Sequence, residues 1–139
     1  MIRRDVIQRI GLFDPRYFLY YEEVDHCRAV RRAGWTVVYY PYTNVVHIGG
    51  ESAASDGVTS GTREVAALRI ESELLYFRKH YGIFGLFAFI FLGALGDTII
   101  GIKALVRRLD IVRAKSTAKY TWLRIKLLID THLASDPTR

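Results

Sequence analysis

Cysteine is almost missing from this chain: of 139 residues only Cys27 carries a thiol. That excludes an intramolecular disulfide and fits a reducing compartment. No CxxC and no Cys/His box with zinc-ligand spacing is present, which excludes the common structural zinc sites. There is no Gly-x-x-x-x-Gly-Lys phosphate loop and no dinucleotide fingerprint. A nucleophilic-serine elbow and an RNA-recognition signature are also lacking. No internal repeat is visible. Met1-Ile2-Arg3-Arg4 runs straight into Asp5-Val6-Ile7 with no apolar h-region, so no secretory leader is expected.

What is present is apolar and unevenly charged. Half of the residues are hydrophobic and 13% are aromatic, which excludes disorder by composition. The formal charge is +6. Residues 1–102 hold 11 Lys/Arg against 11 Asp/Glu, whereas residues 103–139 hold 9 against 3. A neutral body with a basic tail suits an anionic surface at the tail: membrane lipid, nucleic acid, or only solvent around a basic helix.

Asp5 to Ile10 has helical spacing, with Asp5 as N-cap and Gly11 as the stop. Leu12-Phe13-Asp14-Pro15 reads as a turn. Tyr17 to Tyr21 is an aromatic run, buried or lining a cleft. Glu22 to Ala33 is the clearest helix: acids fill its first turn, Arg31 and Arg32 its last, and Gly34 follows as the C′ residue. At 100° per residue Glu23, Cys27 and Val30 share one face, and Asp25, Arg28 and Arg32 the opposite, solvated one. Trp35 to Tyr40 and Asn44 to Ile48 are β-branched and aromatic and are expected as strands. Residues 49–62 are expected to form a long loop of the lid or binding type. Arg63 to His80 is an amphipathic helix stopped by Gly82. From Ile83 to Ile102 the only charge is Asp97, and as a helix this run is close to a bilayer core in length. Asp97 and four glycines weaken a spanning reading; an interfacial helix, a re-entrant hairpin broken near Gly96-Asp97, a buried helix and an oligomer contact compete with it. Lys103 to Leu133 reads as a basic interfacial helix, and residues 134–139 as a frayed tail.

Glu23 is the first candidate for chemistry, because a carboxylate at a helix N-terminus, on the apolar side and beside Glu22 and Asp25, suits a general base. The competing reading is a helix capped by acids. His47, at a strand end before Gly49-Gly50, is a candidate metal ligand where carboxylates complete the shell; a structural histidine is the bland alternative. Asp25 is a candidate for binding an acceptor hydroxyl, or else pairs with Arg28. Trp35 is a candidate for stacking on a sugar ring, or else a core residue. Arg78-Lys79-His80 either meets phosphate or balances the helix dipole.

Several of these residues occur in an ordered set. Gly11-Leu-Phe-Asp14, Phe18-Leu-Tyr-Tyr-Glu22-Glu23-Val-Asp25, Cys27, Arg31-Arg32-Ala33-Gly34-Trp35, Pro41 and Val45-Val-His47 through Gly50 resemble family 2 glycosyltransferases, in particular bacterial rhamnosyltransferase-like enzymes of cell-envelope polysaccharide synthesis. The set covers residues 2–52. Arg69, Ser72, Tyr76 and Arg78 to Gly82 resemble the helix that follows the catalytic domain there, and the apolar and basic remainder resembles a membrane-associating tail. The resemblance implies a GT-A fold, a mixed α/β sheet, and transfer from a nucleotide-sugar donor with inversion, assisted by a divalent Mn or Mg ion. It implies Glu23 as the base, in a position where the family usually has Asp; the longer arm moves the oxygen by about an ångström. It implies His47 as a metal ligand, with Glu22, Asp25 and Trp35 on the acceptor side. His26 stands where a leucine is usual. The family's nucleotide-binding half and its Asp-x-Asp motif are not found in this sequence.

The sequence thus predicts an α/β fold: residues 1–62 as the acceptor-side portion of a GT-A domain, 63–82 as a connecting helix and 83–139 as a membrane-associating helical tail. The expected function is that of a C-terminal fragment of an inverting glycosyltransferase, inactive without a donor-binding half. Its expected partners are a nucleotide sugar, a glycan or lipid-linked acceptor and the cytoplasmic face of a bacterial inner membrane, with no nucleic acid. The alternative is a non-catalytic membrane-associated remnant or interaction module.

Overall fold

The structure, a computed structural model, describes residues 2–44, 46 and 61–138. It contains four helices among the described residues: α1 (Arg4–Ile10), α2 (Glu22–Arg32), α3 (Gly61–Arg108) and α4 (Ile111–Asp130). The chain divides into two compact units, Met1–Arg69 and Ile70–Arg139.

In the first unit, α1 ends at Gly11 (φ +84°), whose N–H donates to the Ile7 carbonyl at 2.8 Å. Asp14 then organises a tight turn: its carboxylate accepts from the Arg16 backbone N–H at 3.0 Å and from the Arg16 guanidinium at 2.7 Å. That bond holds the Arg16 guanidinium above its usual range. At the far end of α2 the Gly34 N–H donates to Arg31 and the Trp35 N–H to Val30, both at 3.1 Å. Gly34, at φ +86°, has the left-handed backbone that this double closure requires.

The expected α/β sheet is not formed. Among the described residues there is no strand: residues 35–40 and 42–44 make no ladder. Val38 is 76% and Tyr39 87% exposed. β-branched and aromatic residues favour extended backbone, but a strand also needs a partner for its N–H and C=O groups, and the described residues offer none. The GT-A mixed sheet is therefore corrected to a helical fold. The second expected strand and the 49–62 loop lie mostly outside the described residues, and Gly61 and Thr62 begin α3.

The faces of α2 depart from expectation in part. Val30 is buried and Arg32 exposed, as expected, but Glu23 and Cys27 are exposed and Asp25 is buried. Buried His26 and Val30, with half-buried Glu22, Ala29 and Ala33, form the inward stripe at i, i+4 and i+7 spacing.

In the second unit α3 breaks at Gly82, whose φ of +68° and ψ of −165° are not helical. The break folds the helix back on itself enough for Phe77 and Phe89 to stack at 4.2 Å. Residues 83–108 and α4 form an antiparallel hairpin closed by Leu109 and Asp110. Its register is read from three contacts: Gly101 against Thr117, Asp97 against Thr121, and Gly93 against Arg124. Asp110 caps α4 by accepting the Arg113 N–H at 2.9 Å. Inside the hairpin Asp97 pairs with Arg124 and accepts from the Thr121 hydroxyl at 2.9 Å. The C-terminal residues are not frayed: Thr138 donates through N–H and hydroxyl to the two oxygens of buried Glu71, at 3.0 and 2.7 Å.

Asp97→Leu leaves a mostly buried arginine without its counter-ion and is expected to destabilise the helical hairpin by about 3 kcal/mol. Asp97→Leu combined with Arg124→Leu is expected to recover most of that loss. Denaturant unfolding followed by helical circular dichroism checks both; equal stability of the single and double variants contradicts a desolvated pair.

Candidate functional site

The acid cluster on α2 is set by the segment that leads into it. Tyr20 and Tyr21 both have left-handed backbone, at φ +68° and +69°. Each costs on the order of 1–3 kcal/mol for a non-glycine residue, and such strain concentrates at functional sites. Tyr21 is the N-cap and gives α2 no side-chain cap. Instead Glu22, Glu23 and Asp25 occupy the first turn, where the helix dipole favours negative charge.

The structure divides the candidates between two sides of α2. Glu23 projects outward and is solvated. Asp25 is buried and accepts from the Tyr17 hydroxyl at 3.3 Å. Burial, and then the negative charges of Asp25 and Asp14, push the Tyr17 hydroxyl well above the usual tyrosine range. Glu22 is half-buried, and its Oε2 has no hydrogen-bond partner among the described residues. Buried His26 packs edge-on against Phe13 at 5.2 Å, and its Nε2 is likewise unsatisfied. Trp35 is half-buried with the Arg3 guanidinium 5.1 Å over its ring, and its Nε1 has no partner. His47 lies outside the described residues.

Three buried polar atoms of this unit, Glu22 Oε2, His26 Nε2 and Trp35 Nε1, have no hydrogen-bond partner among the described residues. The arrangement places an exposed carboxylate, Glu23, and a half-buried one, Glu22, at the N-terminus of α2, whereas Trp35 lies beyond the other end of that 11-residue helix, about 16 Å along the axis. Among the described residues no three His, Cys, Asp or Glu side chains form a group that would hold a metal ion; the expected ligand His47 lies outside them, and no step is derived through the divalent ion. Tyr17 and His26 are the members that pattern reading missed. The signal for His26 was its place four residues from Glu22 and from Val30.

Comparison with known proteins gives a partial relationship. Over 56 residues, 40% of this chain, the sequence is 39% identical to an N-acetylglucosaminyl-diphospho-decaprenol L-rhamnosyltransferase from Mycobacterium tuberculosis, in strain CDC 1551 / Oshkosh and again in strain ATCC 25618 / H37Rv. The match spans 18% of those proteins, so the chain covers under a fifth of the length of the curated relatives it matches. No family model and no solved structure matches the chain. The relationship is to a glycosyltransferase, over part of the sequence.

The buried Tyr17 hydroxyl has a pH signature. With its folded value raised, its contribution to stability is complete below the ordinary tyrosine value near 10 and is lost as pH rises through the folded value. In an ultraviolet ionisation titration, Tyr17→Phe is expected to remove amplitude only from the late, alkaline phase. Loss of amplitude from the first phase instead shows that Tyr17 is exposed.

Proposed function

We propose that this chain is the acceptor-side portion of a membrane-associated inverting glycosyltransferase that moves a sugar from a nucleotide-sugar donor to a glycan or lipid-linked acceptor of the cell envelope. The observation that carries this reading is the 56-residue match to a rhamnosyltransferase. The strained turn and acid cluster are the physical features that fit it. Glu23 takes the proton from the acceptor hydroxyl as that oxygen bonds to the anomeric carbon and the nucleotide diphosphate departs from the opposite side. Glu22 holds the acceptor beside Glu23; Trp35, past the far end of α2, meets a more distant part of it; and Asp25, bonded to Tyr17, fixes the first turn of α2 in place. Binding of the nucleotide is assigned to polypeptide other than residues 1–139, because the relatives are more than five times the length of the matched stretch.

The second unit seats the protein on the membrane, on the cytoplasmic face. The helix containing residues 83–102 is long and apolar enough to cross a bilayer. Its large side chains are nonetheless open to the surroundings: Phe84 is 86% and Phe91 67% exposed. The hairpin register supports one way for such a surface to meet lipid. It sets Lys126 level with the middle of residues 83–102 and Lys119 level with their end. If α3 spanned the bilayer, these lysines would enter hydrocarbon, at about 2.5–3.5 kcal/mol each near the centre. A hairpin lying in the interfacial plane avoids that cost: the apolar faces sink and the lysine heads reach water. On α4, Ile111, Trp122, Ile125 and Ile129 fall on one face at 100° per residue, flanked by Lys115, Lys119 and Lys126.

Supplied with the donor-binding part of the mycobacterial relative, the chain is expected to support sugar transfer, and Glu23→Gln to lower it by about 10²–10⁴-fold with unchanged helicity. Equal transfer by Glu23→Gln favours the non-catalytic module.

The seating is tested separately. With Cys27→Ser as background, cysteines placed at Phe84 and at Leu109 are expected to react with an impermeant maleimide from the same side of a vesicle. Reaction from opposite sides establishes a spanning helix.

A further inference from the structure

The turn of the hairpin holds a feature that the transferase reading does not use. Ile100, Lys103, Ala104 and Arg107 lie on one face of α3 at i, i+3, i+4 and i+7 spacing, and Arg113 from the first turn of α4 closes the opposite wall. Together they line a half-open cavity of about 380 Å³. Lys103, Arg107 and Arg113 form no ion pair with another described residue. The nearest carboxylate along the chain, Asp110, is committed to the Arg113 backbone N–H. The floor is apolar: Ala104 is buried and Ile100 continues the exposed apolar surface of residues 83–102.

We infer that this cavity binds the phosphate of an anionic lipid headgroup, with Lys103, Arg107 and Arg113 around the phosphate oxygens and Ile100 against the first carbons of the lipid. Three exposed cations with no ion-pair partner among the described residues converge on one cavity, an arrangement that suits an anion. Two of them are arginines, whose forked donors match phosphate oxygens. The source is lipid rather than free phosphate because the cavity opens where the apolar run ends, at the depth that headgroups occupy when the hairpin lies in the interface. This inference rests on the interfacial seating proposed above. It differs from general attraction of a basic tail to a negative surface in predicting that position matters as well as charge.

The test is co-sedimentation of the full chain with vesicles of phosphatidylcholine alone and with one-fifth phosphatidylglycerol. Lys103→Gln/Arg107→Gln/Arg113→Gln is compared with Lys115→Gln/Lys119→Gln/Lys126→Gln, which removes the same formal charge. Loss of three charges at the surface is expected to lower affinity for the phosphatidylglycerol vesicles by about a hundredfold in both variants, and the cavity variant is expected to lose at least about a further tenfold. Ile100→Trp, which fills the cavity and keeps every charge, is expected to show the same selective loss, and it carries the test if the triple variant loses helicity. Equal losses from the two triple variants, or full binding by Ile100→Trp, overturn the site while leaving the seating intact. Failure of the wild-type chain to bind either vesicle overturns both. Displacement from vesicles by millimolar inorganic phosphate at constant ionic strength makes free phosphate the ligand and overturns the lipid assignment.

Discussion

The Asp97–Arg124 pair, with Thr121 as its second donor, is the constraint on which the reading of the C-terminal unit depends. An aspartate in the middle of an apolar run is costly alone, and an arginine on the facing helix removes that cost only when the two helices meet at one longitudinal offset. Slipping α4 by one turn strands both charges. The pair therefore contributes uniqueness of register more than net stability. The small residues on either side, Gly93 and Gly101, let the backbones approach closely enough for the pair to form. Once the register is set, the lysines of α4 have fixed positions beside the apolar run, which is the basis of the proposed interfacial seating.

The same register assembles the basic cavity. Arg113 faces Lys103 and Arg107 because the turn at Leu109-Asp110 is short and Asp110 caps α4 at once. A cluster of cations at the tip of an apolar hairpin reconciles two demands, burial of hydrocarbon surface and hydration or pairing of charge, at the depth where a headgroup meets both.

Legibility followed the range of the interactions involved. Gly11, Gly34 and Gly82 marked the ends or breaks of three helical segments, because a left-handed backbone at a helix end is a local demand that glycine meets locally. The first-turn acids of α2 were equally plain. The faces of α2 were not: Asp25 looked solvated beside Arg28, and its burial depends on Tyr17, eight residues away across a turn whose path no spacing rule supplies. The strands at 35–40 and 44–48 were inferred from side-chain preference alone, and a sheet is a property of at least two segments. The ordering of the C-terminus by Glu71 is more remote still, a contact across 67 residues between an acid in a helix that reads as amphipathic and a threonine in a stretch that reads as frayed. His47 lies outside the described residues, so the imidazole half of the expected reaction centre stays an expectation from sequence.

In the proposed function the acid cluster of the first unit takes a proton from a hydroxyl, and the hairpin of the second, with its exposed apolar surface, holds the protein at a lipid surface. The relatives matched over 56 residues carry a lipid-linked diphospho-sugar in their name, and an acceptor of that kind diffuses in two dimensions. A protein held in the same plane by an interfacial hairpin meets it at an effective concentration that a freely diffusing protein does not reach, without any tighter contact at the reacting groups. An open, solvated carboxylate such as Glu23 suits the proposed arrangement, in which the membrane delivers the hydroxyl to it.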